Sequence, residues 1–271
     1  MDRYLLATDL DGTLIPLEDT PEWNAEILRF RRLAMASPRL LLAYVTGRRL
    51  ESALDGAAGF RLPLPELLIC DLGASVYRKT GRDYELDQGF RGLLLHAWQG
   101  RIARDIAPLL DKIEGLTPRP AETQGEFKQG YYTNQGQRGR EAVQRVAERL
   151  RVAGLDSNLV CGVDVRTGAG LLDVLPTLAA KDHALAYLRD RLAIPHDHIV
   201  FAGDSGHDLA AFTSGFNAIV VANATDEVRE EARRQAEAKG VAHRLYFADH
   251  SYISGVMEGA RHFNLFTGED A

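Results

Sequence analysis

With 271 residues the chain can hold one large domain or two modest ones. Hydrophobic residues make up 45% and charged residues 26%, the balance of an ordinary soluble globular protein, and no apolar run is long enough to cross a bilayer. A net charge of −6 argues against nucleic acid as a partner, which needs a basic face.

The chain opens on Met1-Asp2-Arg3 and passes at once into the apolar run Tyr4-Leu5-Leu6-Ala7, which predicts a buried parallel strand. No secretory signal or transit peptide is expected from such a start. Helical stretches near Pro21–Ala36 and Arg49–Ala57 alternate with strands at Leu40–Val45 and Glu66–Cys70. Ser75–Asp87 follows as a hairpin turning at Thr80-Gly81-Arg82. Residues 84–169 then change character, with helices over Ile102–Ile113 and Arg140–Val152 and strands over Phe127–Thr133 and Leu159–Val165. Gly168-Ala169-Gly170 lacks the spacing of a dinucleotide loop and is expected to be a return linker. After it the alternation resumes, with strands at Leu171–Leu175, Ile199–Ala202, Ala218–Ala222 and Leu245–Ala248. Helices fit Lys181–Leu192, Asp226–Lys239 and Tyr252–Phe263. The expected fold is α/β: a doubly wound, mainly parallel Rossmann-like sheet from residues 1–83 and 170–271, with residues 84–169 inserted as an α+β cap.

Asp9-Leu10-Asp11-Gly12-Thr13 stands just past the first strand. Two carboxylates two residues apart suit an aspartate nucleophile paired with an aspartic general acid and a divalent cation. Three further segments also lie beyond strand ends: Val45-Thr46-Gly47-Arg48, Lys181 at a helix start, and Gly203-Asp204-Ser205-Gly206-His207-Asp208. A hydroxyl and exposed amides at a helix start can hold a phosphate. If the two halves wind outward in opposite directions, the first strand and Ile199–Ala202 become neighbours, and Asp9, Asp11, Asp204 and Asp208 converge at their carboxyl ends. A carboxylate about 4 Å from a phosphate charge meets repulsion on the order of 4 kcal/mol at an effective dielectric near 20. Such a cluster implies compensating positive charge, which Lys181 and an oxygen-liganded Mg²⁺ supply. His196-Asp197-His198 follows Pro195 in a loop and is read as structural rather than metal-binding. Cys70 and Cys161 lack metal-ligand spacing and are expected to be buried free thiols of a cytoplasmic monomer.

The four segments in this order resemble the haloacid dehalogenase superfamily of phosphatases. Leu42–Arg48, Gly170–Pro176, Gly203–Asp208 and the ending His262-Phe263-Asn264-Leu265-Phe266 are similar to its sucrose-phosphate phosphatase group. The resemblance implies that Asp9 forms an aspartyl-phosphate, and that Asp11 protonates the leaving alcohol and then activates water. It implies that Thr46 and Lys181 hold the phosphate, with Gly47 and Arg48 beside it. Mg²⁺ would sit on the Asp9 carboxylate, the Asp11 carbonyl and Asp204, with Asp208 supporting. The family usually has Asn where this chain has His207. Lys128, Gln129, Tyr131 and Tyr132, on a predicted strand of the insert, are expected to include the sugar contacts, Lys128 and Gln129 first. The expected activity is hydrolysis of a sugar phosphate, sucrose 6-phosphate first. The alternatives are mannosylfructose phosphate or a similar ester, a phosphomutase, or a non-enzymatic phosphosugar-binding protein.

Overall fold

The apolar run after Arg3 becomes β1 (Tyr4–Thr8), and α1 (Trp23–Ala36), β2 (Leu40–Val45), α2 (Leu50–Gly59) and β3 (Leu67–Cys70) follow in alternation. The computed structural model describes residues 3–17, 23–164 and 167–266. Pro21 and Val165, expected as element ends, lie outside the described residues. The hairpin β4 (Ser75–Thr80) and β5 (Asp83–Leu86) turns at Gly81-Arg82, as expected, with Gly81 at φ 65°.

The middle of the chain forms α3 (Gln88–Ala97), α4 (Ala103–Leu110), β6 (Leu116–Pro118), β7 (Gln129–Thr133), α5 (Gly136–Val152), β8 (Ser157–Val163) and β9 (Gly170–Pro176). Alternation then returns through α6 (Lys181–Leu192), β10 (Ile199–Gly203), α7 (Leu209–Phe212), β11 (Asn217–Val220), α8 (Asp226–Ala238), β12 (Leu245–Phe247) and α9 (Tyr252–His262).

An eight-stranded sheet has the order β12-β11-β10-β1-β2-β3-β4-β5, parallel from β12 to β3 and closed by the antiparallel hairpin. Strand alternation splits its core in two. Leu5, Ala7, Ala43, Val45 and Phe201 face Ala184, Leu185, Leu188 and Phe212 of α6 and α7. Leu6, Leu42, Tyr44, Val200 and Ile219 face Phe30, Ala53, Val256 and Met257 of α1, α2 and α9. The sheet is therefore covered on both faces, as a doubly wound fold requires. β1 pairs with β10 on one side and β2 on the other, in the winding read from the sequence.

A second, antiparallel sheet has the order β6-β7-β9-β8. Here one expectation is corrected. The strand over 171–175 does not join the large sheet; β9 lies in the small one, between β7 and β8. A central strand of a covered antiparallel sheet is buried on both faces, just as a central parallel strand is, so the apolar run Leu171–Leu175 reads the same in either place. Gly168-Ala169-Gly170 is accordingly a turn rather than a return linker. Asp164 N donates to Ala169 O at 2.8 Å and Gly168 N to Asp164 O at 2.7 Å, closing β8 onto β9. The chain returns to the large sheet through residues 177–180, directly ahead of Lys181.

Helix α3 escaped the sequence reading because Gly89 and Gly92 look like breakers. Asp87 starts it all the same: its side chain accepts from Phe90 N at 3.0 Å, and Phe90 and Leu94 are buried. Of the two thiols, Cys70 is buried and Cys161 is exposed, so the expectation of two buried thiols holds for Cys70 alone. No described helix is long and apolar enough to cross a membrane.

Candidate active site

Because β1, β2 and β10 are parallel neighbours, the residues that follow them emerge at one edge of the sheet. Asp9 follows β1, Thr46 follows β2 and Asp204 follows β10. Asp9 N donates to Ala202 O at 2.9 Å, tying the first turn to the neighbouring strand. Its Oδ1 accepts from Leu10 N at 2.8 Å and its Oδ2 lies 3.3 Å from Lys181 Nζ.

Lys181 is buried at the start of α6 and donates to Asp208 Oδ1 at 2.6 Å. The other oxygen of Asp208 accepts from Asp204 N at 3.2 Å, Ser205 N at 2.9 Å and the Ser205 hydroxyl at 2.9 Å. Both carboxylate oxygens are committed, so Asp208 anchors the lysine and the Asp204 turn together. Asp204 Oδ1 in turn accepts from Thr13 Oγ1 at 2.7 Å. Oxygens of Asp9, Asp204 and Asp208 lie within 4.8 Å of one another.

Burial pushes the Asp9 carboxyl up to about 8; Lys181 opposes the shift, while Asp208 and Asp204 add to it. Burial also raises Asp204 to about 6 against the Thr13 hydrogen bond. Burial alone would lower the Lys181 ammonium, but Asp208 and Asp9 outweigh it and hold lysine above its ordinary range. Burial therefore works against the ionised form of Asp9 that a nucleophile requires. Three clustered carboxylates around one ammonium fit an oxygen-liganded divalent cation, which would favour their ionised forms.

Asp11 stands apart from this cluster. Its carboxylate is held by Arg48 at two points, Nε to Oδ2 at 2.8 Å and Nη2 to Oδ1 at 2.5 Å. Arg48 also donates to Ser52 O at 3.0 Å, so its guanidinium bridges the first turn of α2 and Asp11. Thr46 is buried, with N donating to Ile69 O at 2.8 Å and Oγ1 accepting from Arg48 N at 3.2 Å. Gly47 presents its carbonyl to Lys128 Nζ at 3.2 Å.

Gly12 permits the turn that directly follows Asp11. Its φ is +80°, and a Cβ there would strike the Asp204 carboxylate. Gly12→Ala is expected to lower kcat by about 100-fold, the cost of displacing reacting groups by an ångström. Steady-state kinetics beside a circular dichroism melt checks this; an unchanged kcat would show that the turn tolerates the shift.

On the small sheet, neighbouring residues of a strand point to opposite faces. Gly130 is opposite Asp173 and Gln129 opposite Val174, so Gln129 shares the face of the buried Leu172 and Val174. Gln129, expected as a sugar contact, therefore lies on the face of β7 opposite to Gly130 and Asp173. Tyr131 lies on the Gln129 face and Tyr132 on that of Asp173. Lys128 reaches the large sheet, where Nζ lies 2.6 Å from Asp71 Oδ1. Arg119 and Asp173 form a largely buried ion pair that no sequence pattern flagged. Burial raises the Asp173 carboxyl, while Arg119 and Lys128 pull it down. His207, in place of the usual Asn, approaches Gly162 of β8: the ring Nε2 lies 3.7 Å from where a Cβ would stand.

This geometry has known counterparts. A family model for sucrose-6F-phosphate phosphohydrolase matches residues 2–264. The chain belongs to that family. It is accordingly a phosphoric monoester hydrolase of haloacid dehalogenase type. A haloacid dehalogenase-like hydrolase of Nitrosococcus oceani is 35% identical over 96% of this chain and 72% of its own length. Mannosylfructose-phosphate phosphatase of Agrobacterium fabrum is 29% identical over 96% of this chain and 97% of its own. The solved sucrose-phosphatase of a Synechocystis species, in complex with sucrose and phosphate, superposes with a TM-score of 0.78 at 25% identity. That match covers 99% of this chain and 100% of that one.

Proposed function

We propose that this chain hydrolyses a phosphorylated disaccharide, sucrose 6-phosphate first, through an aspartyl-phosphate and with Mg²⁺ as its cation. The observation that carries the reading is the meeting of Asp9, Lys181, Asp204 and Asp208 at one sheet edge, with Lys128 of the second sheet touching the Thr46-Gly47-Arg48 turn.

Asp9 Oδ2 attacks phosphorus as the bond from phosphorus to the sugar oxygen breaks. Asp11, once out of the Arg48 fork, gives its proton to the leaving sugar oxygen. It then takes a proton from the water that attacks the aspartyl-phosphate, returning Asp9 and releasing phosphate. Lys181 and Thr46 hold phosphoryl oxygens throughout. When bound, Mg²⁺ supplies the positive charge that keeps Asp9 ionised and offsets its repulsion from the phosphate. Closure of the second sheet, whose core-ward face carries Tyr132, Arg119 and Asp173, excludes bulk water and offers hydrogen-bonding partners to sugar hydroxyls.

Binding energy from those remote contacts is expected to appear in turnover. In a phosphate-release screen with Mg²⁺, sucrose 6-phosphate is expected to exceed monosaccharide phosphates and p-nitrophenyl phosphate at least about tenfold in kcat/KM. Arg119→Gln should erode that advantage while Gln129→Ala leaves it intact. Equal efficiency on all esters would refute a disaccharide site. Mannosylfructose phosphate is the second reading, favoured by the nearly full-length match to the Agrobacterium fabrum phosphatase, and belongs in the same screen.

A further inference from the structure

Asp71 and Lys128 are 57 residues apart and belong to different sheets, yet they form a buried ion pair. Nζ lies 2.6 Å from Oδ1, and the two side chains are 6% and 10% exposed. Lys128 stands immediately before β7 of the small sheet; Asp71 immediately follows β3 of the large one. The same ammonium donates to Gly47 O at 3.2 Å, so one cation touches both Asp71 and the turn after β2.

Asp71 is held in place by an unusual backbone. Asp71, Leu72 and Gly73 have φ of 55°, 62° and 95°, a left-handed run that costs energy at the two positions with a Cβ. That path aims Asp71 N at Arg48 O (2.9 Å) and Leu72 N at Thr46 O (3.1 Å). The strained segment is thus bonded to the carbonyls on either side of Gly47, and Lys128 takes the carbonyl between them. Local strain of this kind persists where the surroundings over-determine it.

A buried ion pair with one partner removed leaves a charge without compensation. Inside a single core that cost unfolds the protein. Here the partners sit on separate sheets, so the sheets can part and the stranded charge can regain water. We propose that Asp71 is a positioning residue, and that its ion pair with Lys128 is the latch that holds the small sheet closed over the Thr46-Gly47-Arg48 turn. The catalytic consequence rests on the proposed sugar-phosphate reading; the latch itself does not.

Three variants of the full chain test it: Asp71→Asn, Lys128→Met and the two combined. Asn tolerates the left-handed backbone and Met keeps the length of the lysine stem. In small-angle X-ray scattering each single variant is expected to show a larger radius of gyration than the wild type. The double variant, with no stranded charge, is expected to return to the wild-type value. On the sugar ester found in the screen, KM should rise about tenfold in each single variant and recover to within about threefold in the double. Wild-type scattering from both folded single variants would overturn the latch. So would a double variant no better than Lys128→Met, because the ammonium would then be acting on the sugar itself. If Lys128→Met is too unstable to purify, Asp71→Asn against wild type carries the scattering test alone. Scattering needs no substrate, so an enzyme inactive on every sugar ester would sink the proposed function and leave the latch to be decided.

Discussion

Asp9→Asn is expected to remove turnover, by at least about 10⁴-fold in kcat, while leaving the fold in place. The amide keeps the shape of the carboxylate and loses its nucleophilic oxygen. Lys181 loses one partner but retains Asp208 at 2.6 Å, so its ammonium is not stranded. The same substitution should change stability in a definite direction. Burial pushes the folded carboxyl of Asp9 up to about 8 from its ordinary value of 3.8. Between those two pH values the folded chain keeps a proton that the unfolded chain has lost, so stability falls as pH rises through that window. Asp204, near 6, adds to the fall over the lower part of it. Metal-free Asp9→Asn should therefore melt at a higher temperature than metal-free wild type at pH 8, and the difference should shrink toward pH 4. Thermal melts in chelator across that range read the effect. Residual phosphate release above a few per cent of wild type would take the nucleophile role from Asp9.

Removing divalent cations is expected to abolish phosphate release, and adding Mg²⁺ to restore it. The argument is the cluster of Asp9, Asp204 and Asp208 around a single lysine, whose cost grows as the carboxylates ionise. A cation that binds the ionised site stabilises the fold by mass action. Added Mg²⁺ should raise the melting temperature most at pH 8 and least near pH 4, where protons compete for the same oxygens. Asp204→Ala should weaken both the stabilisation and the activation. Full activity in excess chelator, or Mg²⁺ stabilisation indifferent to pH, would contradict a cation site at these residues.

Much of this site could be read from the sequence because each motif follows a strand. Strand ends in a parallel sheet share an edge, and right-handed crossovers leave few ways to order β10, β1 and β2. Asp9, Lys181, Asp204 and Asp208 needed only that topology to meet. The Arg48–Asp11 fork was less accessible, since its partners are joined by rotamers that no spacing encodes. Arg119 and Asp173 were invisible for the same reason, their pairing depending on which strands become neighbours in the small sheet. Period-two alternation, applied strictly, places Gln129 on the face of β7 opposite to Asp173. β9 was misplaced because burial pattern reports how a strand is covered, and says nothing of which sheet covers it.

The location of β9 also governs how this architecture can be recombined. An exchange of the small sheet between relatives cut at 84–169 would leave β9 behind and part both β7 and β8 from the strand that lies between them. The workable junctions fall near Asp87 and among residues 177–180. That second junction abuts Lys181, eight residues past Asp173. A graft that imports a new β9 therefore ends within a few residues of the buried Lys181, whose ammonium meets Asp9 and Asp208, and the two must be inherited in step.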